Sequence, residues 1–127
     1  MKDSITIVTG KKTEFVNITH KINEIIDFPE GAVLIFTRHT TTGLTVNENE
    51  KGLLSDMEKF LINSVPEGNY LHNKIDNNAS SHLRSLLLEC SLVLPVKNSK
   101  LDIGTWQSVF LAELDGPRTR SVVVRKF

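Results

Sequence analysis

Five consecutive apolar residues, Ala32-Val33-Leu34-Ile35-Phe36, constrain the fold most, because a dense polar stretch follows them at once. The run is too short for a helix of its own, and its β-branched and aromatic residues favour a buried strand, roughly residues 32–39. The chain then reads Arg38-His39-Thr40-Thr41-Thr42-Gly43-Leu44-Thr45-Val46-Asn47-Glu48-Asn49. An imidazole, a run of threonine hydroxyls, a carboxylate and two carboxamides thus stand at the exit of a strand that must be central. A rigid element that ends in polar groups both holds a site and opens it to solvent.

Around this strand the pattern is mostly strand-like. Residues 3–9 alternate, with Ile5 and Ile7 on one face, and Glu14–Ile18 alternates again after a turn at Gly10-Lys11-Lys12, which predicts a hairpin of these two runs. Thr19 is placed to cap a helix carrying Ile22, Ile25 and Ile26, which Pro29 and Gly31 end. After Gly43, Leu44, Val46 and Glu48 share one face and Thr45, Asn47 and Asn49 the other. A helix over 51–63 presents Leu53, Leu54, Met57, Phe60 and Leu61 on one stripe. Residues 70–78 read as a loop, and a third helix, capped by Asn78, Ser80 or Ser81, runs to about Glu89 with Leu83, Leu86, Leu87 and Cys90 on its apolar stripe. Ser91–Val96 is a strand whose Pro95 suggests an edge or a bulge. A further strand, the long apolar segment Trp106–Leu114, a turn at 115–120 and a closing strand from Ser121 complete the chain. Strands in hairpin-like order with about three helices predict an α+β fold with a mostly antiparallel sheet, one domain over residues 1–127. Apolar residues on both faces of the C-terminal strands imply cover from a second layer or from a partner subunit.

The formal net charge is zero, which argues against nucleic acid as the main partner. The single cysteine excludes an internal disulfide and a Cys-rich zinc site. No apolar stretch is long enough to span a bilayer and the N-terminus lacks a signal-peptide core, so the cytoplasm is the expected location.

Chemistry concentrates on the histidines. His72 and His82 bracket a polar loop containing Asp76, and with His39 they could form a nitrogen and oxygen site suited to zinc. The same spacing fits histidines that only hydrogen-bond within the loop. His82 is expected in the first turn of its helix, where the dipole disfavours an imidazolium. His20 is expected to lie on the surface. Glu48, at the rim of an apolar face, is a candidate acid, base or ligand. Thr40, Thr41 and Thr42 with Gly43 could cradle an anionic oxygen, and Arg118 and Arg120 could clamp a phosphate if their turn faces the histidines. Trp106 and Cys90 read as core.

Three segments resemble one known family. His39-Thr40-Thr41-Thr42-Gly43-Leu44-Thr45-Val46-Asn47-Glu48 is similar to an HT(S/T)xxLT(I/V)NE signature. His72…Asp76-Asn77…Ser81-His82-Leu83 is similar to an H…D…AH(I/L) segment, and Leu101-Asp102-Ile103-Gly104-Thr105-Trp106-Gln107 to LxLGTWQ, followed by the turn Asp115-Gly116-Pro117-Arg118. Ser81 and Thr42 stand where alanine is usual or frequent. By these motifs the chain resembles the YjbQ family of small bacterial and archaeal proteins, associated with secondary thiamine-phosphate synthase activity. The resemblance implies a YjbQ-like α+β sandwich and a homotrimer with its histidine-rich pocket near the subunit interfaces. It implies transfer of a hydroxymethylpyrimidine from its diphosphate to a thiazole phosphate, releasing pyrophosphate, as a side activity. On that basis His39, His72 and His82 would hold a divalent metal such as zinc, and magnesium would accompany the diphosphate. Glu48, His39 and Asp76 would act in catalysis, while Thr40, Thr41, Asn47 and Arg118 would bind a small phosphorylated molecule. A metal-dependent hydrolase and a non-catalytic metal- or anion-binding trimer are the alternatives.

Overall fold

The computed structural model describes all 127 residues. The α+β expectation holds, with eight strands, three α-helices and antiparallel pairing throughout. The strands are β1 (Ser4–Val8), β2 (Glu14–Asn17), β3 (Glu30–Thr37), β4 (Thr42–Glu48), β5 (Ser91–Lys97), β6 (Lys100–Leu101), β7 (Gln107–Glu113) and β8 (Thr119–Lys126). The helices are α1 (Thr19–Ile25), α2 (Lys51–Ser64) and α3 (Ala79–Ser85).

They form a five-stranded sheet, in the order β1-β8-β3-β5-β6, and a three-stranded sheet, in the order β2-β7-β4. One core holds the sheets together. Ile5, Ile7, Val33, Ile35, Val96, Val122 and Val124 from the larger sheet meet Leu44, Val109 and Leu111 from the smaller. Ile18, Ile22, Ile26 and Phe28, in and around α1, complete the cluster. Each such side chain contributes about 1.5–3 kcal/mol by leaving water. The second face of the small sheet is also covered. Phe110 stands edge-on to Phe15 at 6.3 Å, and Ala112 and Leu114 pack with Leu61 of α2. Burial on both faces of β7, expected from its apolar run, is thus supplied by a second layer.

The predicted hairpin of the first two runs does not form. β1 pairs with β8 and β2 with β7, in different sheets. Alternation reports which face of a strand is buried, not which strand lies beside it. The segments β1–β2, β3–β4 and β7–β8 all cross from one sheet to the other at the same end of the sandwich, as the registers Val8↔Thr119, Thr42↔Glu113 and Glu14↔Glu113 require. That end carries the site.

Several local expectations are corrected by partners far along the chain. Thr19 does not cap α1. Its hydroxyl accepts from the Val109 amide, while Asn17 Oδ1 accepts the Thr19 N–H. The segment 70–78 contains a 3₁₀ turn at Leu71–Lys74. α3 stops at Ser85 because Leu88 seats against Gly43 and Glu89 exchanges backbone hydrogen bonds with Leu44. Its buried residues are Ala79, Ser80, Ser81 and Arg84, so the predicted stripe of Leu86, Leu87 and Cys90 faces outward. Phe60 is 65% exposed and Trp106 74%, so neither joins the core. Pro95 sits in β5 where only the two-residue β6 lies beyond, the edge position its missing N–H tolerates.

Candidate functional site

The β3–β4 corner is built by its threonines. Thr42 Oγ1 donates to the His39 carbonyl at 3.1 Å, so the Thr37–Thr42 hydroxyl contact at 2.7 Å has Thr37 as donor. Thr37 Oγ1 in turn accepts the His39 N–H at 3.3 Å. These bonds hold Arg38, His39, Thr40 and Thr41 out over the end of the sandwich. His20, in contrast, is exposed and paired only with Glu24.

A cleft of about 380 Å³ opens there, lined by polar side chains only: Arg38, His39, Thr40, Thr41, Asp76, Asn78, His82, Asp115, Arg118 and Arg120. A second, more apolar groove of about 490 Å³ shares Arg38, His39, Thr40 and His82 and adds Phe36, Leu83, Leu86 and Cys90. The fold therefore brings His39, Thr40, Thr41, Asp76, His82 and Arg118 to one place. His72 stands beside it, its ring edge-on to that of His82 with centroids 4.7 Å apart. Asn47 and Glu48 are not brought there. They lie at the opposite end of β4, where Glu48 is in register with Gln107, about 20 Å from Thr42 at ~3.4 Å per residue. Asn47 Oδ1 accepts the Glu48 N–H.

Beneath the cleft runs a polar network that the sequence alone did not reveal. Glu113 has no solvent exposure, and its carboxylate accepts from Arg120 Nε at 2.9 Å, Arg120 Nη2 at 2.5 Å, Thr9 Oγ1 at 2.8 Å and the Asp115 N–H at 3.1 Å. Burial would raise its pKa, but these donors, Arg120 foremost, hold it below the usual carboxylate range. Arg120 also donates to Thr41 Oγ1 at 2.9 Å. Its guanidinium is thus already engaged, and of the two arginines expected to clamp a phosphate only Arg118 is exposed. Asp115 joins Lys12, Arg118 and Asn78; burial would raise its pKa, yet these bonds pull it down to about 2. Asn78 does not cap α3. Its Nδ2 donates to Asp115 Oδ2 at 2.9 Å, and its Oδ1 lies 2.9 Å from His72 Nε2. Ser80 and Ser81 donate to Glu67 and to the Leu114 carbonyl, so they do not cap the helix either. Arg38 was legible only as the first residue of the polar stretch after the apolar run, Asp115 only as a member of a quoted motif, and Glu113 only as a lone acid near the end of an apolar run.

His82 is the fourth residue of the seven-residue α3, not in its first turn, so the dipole argument for a neutral imidazole lapses. His39 is the histidine whose pKa is lowered, first by burial and then by the Arg120 charge. Its Nε2 accepts the Ser121 amide at 3.1 Å. No group of three or more His, Cys, Asp or Glu side chains converges to hold a metal ion. As one three-imidazole ligand set His39, His72 and His82 do not fit, because His39 is turned to the β8 backbone while His72 and His82 face each other.

A family model described as UPF0047 protein YjbQ-like matches residues 3–127. A UPF0047 protein of Archaeoglobus fulgidus is 44% identical over 95% of this chain and 97% of its own length. One from Methanothermobacter thermautotrophicus is 46% identical over 91% of this chain and 84% of its own. Among solved structures, a hypothetical protein from Aeropyrum pernix K1 superposes with a TM-score of 0.93 at 32% identity, covering 100% of this chain and 98% of that one. A protein of unknown function from Sulfolobus solfataricus gives 0.92 at 37% identity, covering 98% and 94%.

Proposed function

The chain belongs to the YjbQ-like UPF0047 family, and from that membership and its cleft we propose an enzyme acting on phosphorylated small molecules, with thiamine-phosphate-synthase-type transfer as the first reaction to test. The observation behind the proposal is an all-polar cleft, rich in arginine, that shares its walls with a more apolar groove. A phosphorylated heterocycle has the same two halves. Its anionic oxygens suit Arg38, Arg118 and Thr40, and its flat body suits Phe36, Leu83 and Leu86.

In the proposed transfer, the carbon–oxygen bond of hydroxymethylpyrimidine diphosphate breaks and pyrophosphate leaves with the bonding electrons. The thiazole nitrogen then bonds to the freed carbon. Charge grows on the departing diphosphate, and cationic side chains fixed beforehand lower that barrier. Arg118 is the cation proposed to do so, and Asp115 holds its guanidinium. His39 and Asp76 line the same cleft; in this proposal Asp76 moves a proton and His39 donates a hydrogen bond to the departing oxygens.

Glu48 and Asn47 enter the proposed site only through a neighbouring subunit, which the proposed homotrimer would supply. Exposed apolar side chains support self-association: Val8 and Val93 on the outer face of the large sheet, with Leu71, Ile75, Leu86 and Trp106 elsewhere. The proposed location is the cytoplasm; no helix is long and apolar enough to cross a membrane.

Pyrophosphate release from the two substrates with added magnesium tests the proposal. Native protein should release it, and Arg118→Ala should lower kcat/KM at least tenfold. No release by native protein overturns the transferase assignment. A second possibility, a zinc-dependent phosphate-ester hydrolase, draws on the His72–His82 contact beside the Asp76-lined cleft. Zinc-requiring phosphate release without transfer would select it. Stabilisation by inorganic phosphate with no turnover would select a binding module.

A further inference from the structure

Two of the imidazoles at this site have hydrogen-bond partners that leave no freedom in where the ring proton sits. A carboxylate only accepts, so the Asn78 atom 2.9 Å from Asp115 Oδ2 is the amide nitrogen. The carbonyl oxygen of Asn78 therefore faces His72, and an oxygen that can only accept requires a proton on His72 Nε2, 2.9 Å away. The neutral His72 ring then keeps a free lone pair on Nδ1. Asp115 is itself anchored by Lys12 at 2.9 Å and Arg118 at 3.1 Å, so the relay begins from a fixed anion. Asn78 is 7% exposed where it lines the cleft, so both ends of its amide are taken up chiefly by these two partners. At His39 the logic reverses. A backbone N–H only donates, and Ser121 donates to Nε2 at 3.1 Å. The His39 proton therefore lies on Nδ1, and no lone pair is left for anything else.

We propose that Asn78 is a positioning residue that transmits the fixed orientation of Asp115 to His72, setting its Nε2–H tautomer, while the Ser121 amide sets the opposite, Nδ1–H, tautomer of His39. The three histidines then divide. A divalent cation is met by His72 Nδ1 and by His82, whose ring nitrogens carry no other hydrogen bond. An anionic oxygen is met by the His39 Nδ1–H. The arrangement behind His72 is the one that orients metal-ligating imidazoles, where loss of the outer partner weakens metal affinity about 10–100-fold. The assignment refines ligand roles within the site proposed above but rests on hydrogen bonds, so its test needs no turnover.

The test is nitrogen-15 NMR of the imidazoles in the native protein at slightly alkaline pH, followed by titration with zinc chloride. The expected result is His72 protonated on Nε2 and His39 on Nδ1. In Asn78→Ala and in Asp115→Asn the His72 ring should become a tautomer mixture while His39 is unchanged, with the backbone amide spectrum as the control for folding. On zinc addition the His72 and His82 nitrogens should shift and those of His39 should not. His39→Ala should bind zinc as the native protein does, His82→Ala should lose it, and Asn78→Ala should weaken it about tenfold or more. A His72 ring protonated on Nδ1, or one insensitive to both substitutions, overturns the relay. Zinc shifts at His39, or zinc lost from His39→Ala, overturn the division of roles. Zinc that shifts none of the three overturns the cation half, and the observed tautomers still decide the other half. Failure of the proton positions is thus separable from absence of pyrophosphate release.

Discussion

Replacing Glu113 by glutamine tests the network beneath the cleft most directly. Glu113 is fully buried and Arg120 is 5% exposed, so neither charge is relieved by water. Glutamine keeps the shape and some of the hydrogen bonds but removes the charge opposite the guanidinium. Arg120 is then left with neutral partners only, Thr41 and the glutamine oxygen. Breaking a buried pair by deleting one member costs about 3–5 kcal/mol, much of it the penalty of an uncompensated charge. With ~2.1 cal/mol/K of unfolding entropy per residue, 127 residues give about 0.27 kcal/mol/K, so Tm should fall by about 11–19 °C. The lower end is expected, since glutamine still accepts from Thr9 or Arg120. Circular dichroism melts at one fixed protein concentration measure the shift, because self-association would otherwise move it. The paired change Glu113→Leu with Arg120→Met should recover most of the loss, as two apolar groups leave no orphaned charge. A drop under about 3 °C for Glu113→Gln, or a double variant worse than the single, would refute the reasoning.

Asp115 should make stability pH-dependent at the acid end. Its folded pKa of about 2 lies below the ordinary 3.8, so its contribution is complete above about pH 4 and is lost as pH falls towards 2. The size is about 2 kcal/mol, and urea midpoints across that range should slope less in Asp115→Asn. Gly116→Ala should destabilise by about 1–3 kcal/mol, because the new Cβ would stand 2.2 Å from the Lys11 carbonyl oxygen and 2.7 Å from Glu113 Cγ; an unchanged melt would show that the turn relaxes freely. Phe110→Ala should cost about 3–5 kcal/mol, read from denaturant unfolding, since a fully buried ring and its edge contact with Phe15 are lost together.

Much of this molecule is written locally. The buried Val33 and Ile35, the alternation of Ile5 and Ile7, and the helical spacing in α2 each follow from solvent exclusion acting at a period the backbone imposes, and such periods are visible in a single chain. The α+β class, the strand exit at His39 and the clustering of His39, Asp76, His82 and Arg118 were all legible from those patterns and from the family motifs. What the tertiary structure decided is pairing and occupancy. Only the assembled sandwich shows that β1 and β2 join different sheets and that three crossovers meet at one end, because alternation carries no label for a strand's neighbour. The same step sends Glu48 away from the histidines along β4 and turns Arg120 from an expected phosphate clamp into the buried partner of Glu113. It also joins Asn78 to an aspartate 37 positions later. Hydrogen bonds and ion pairs of this kind depend on distances of about 3 Å between groups far apart in the chain, and no local periodicity encodes those distances.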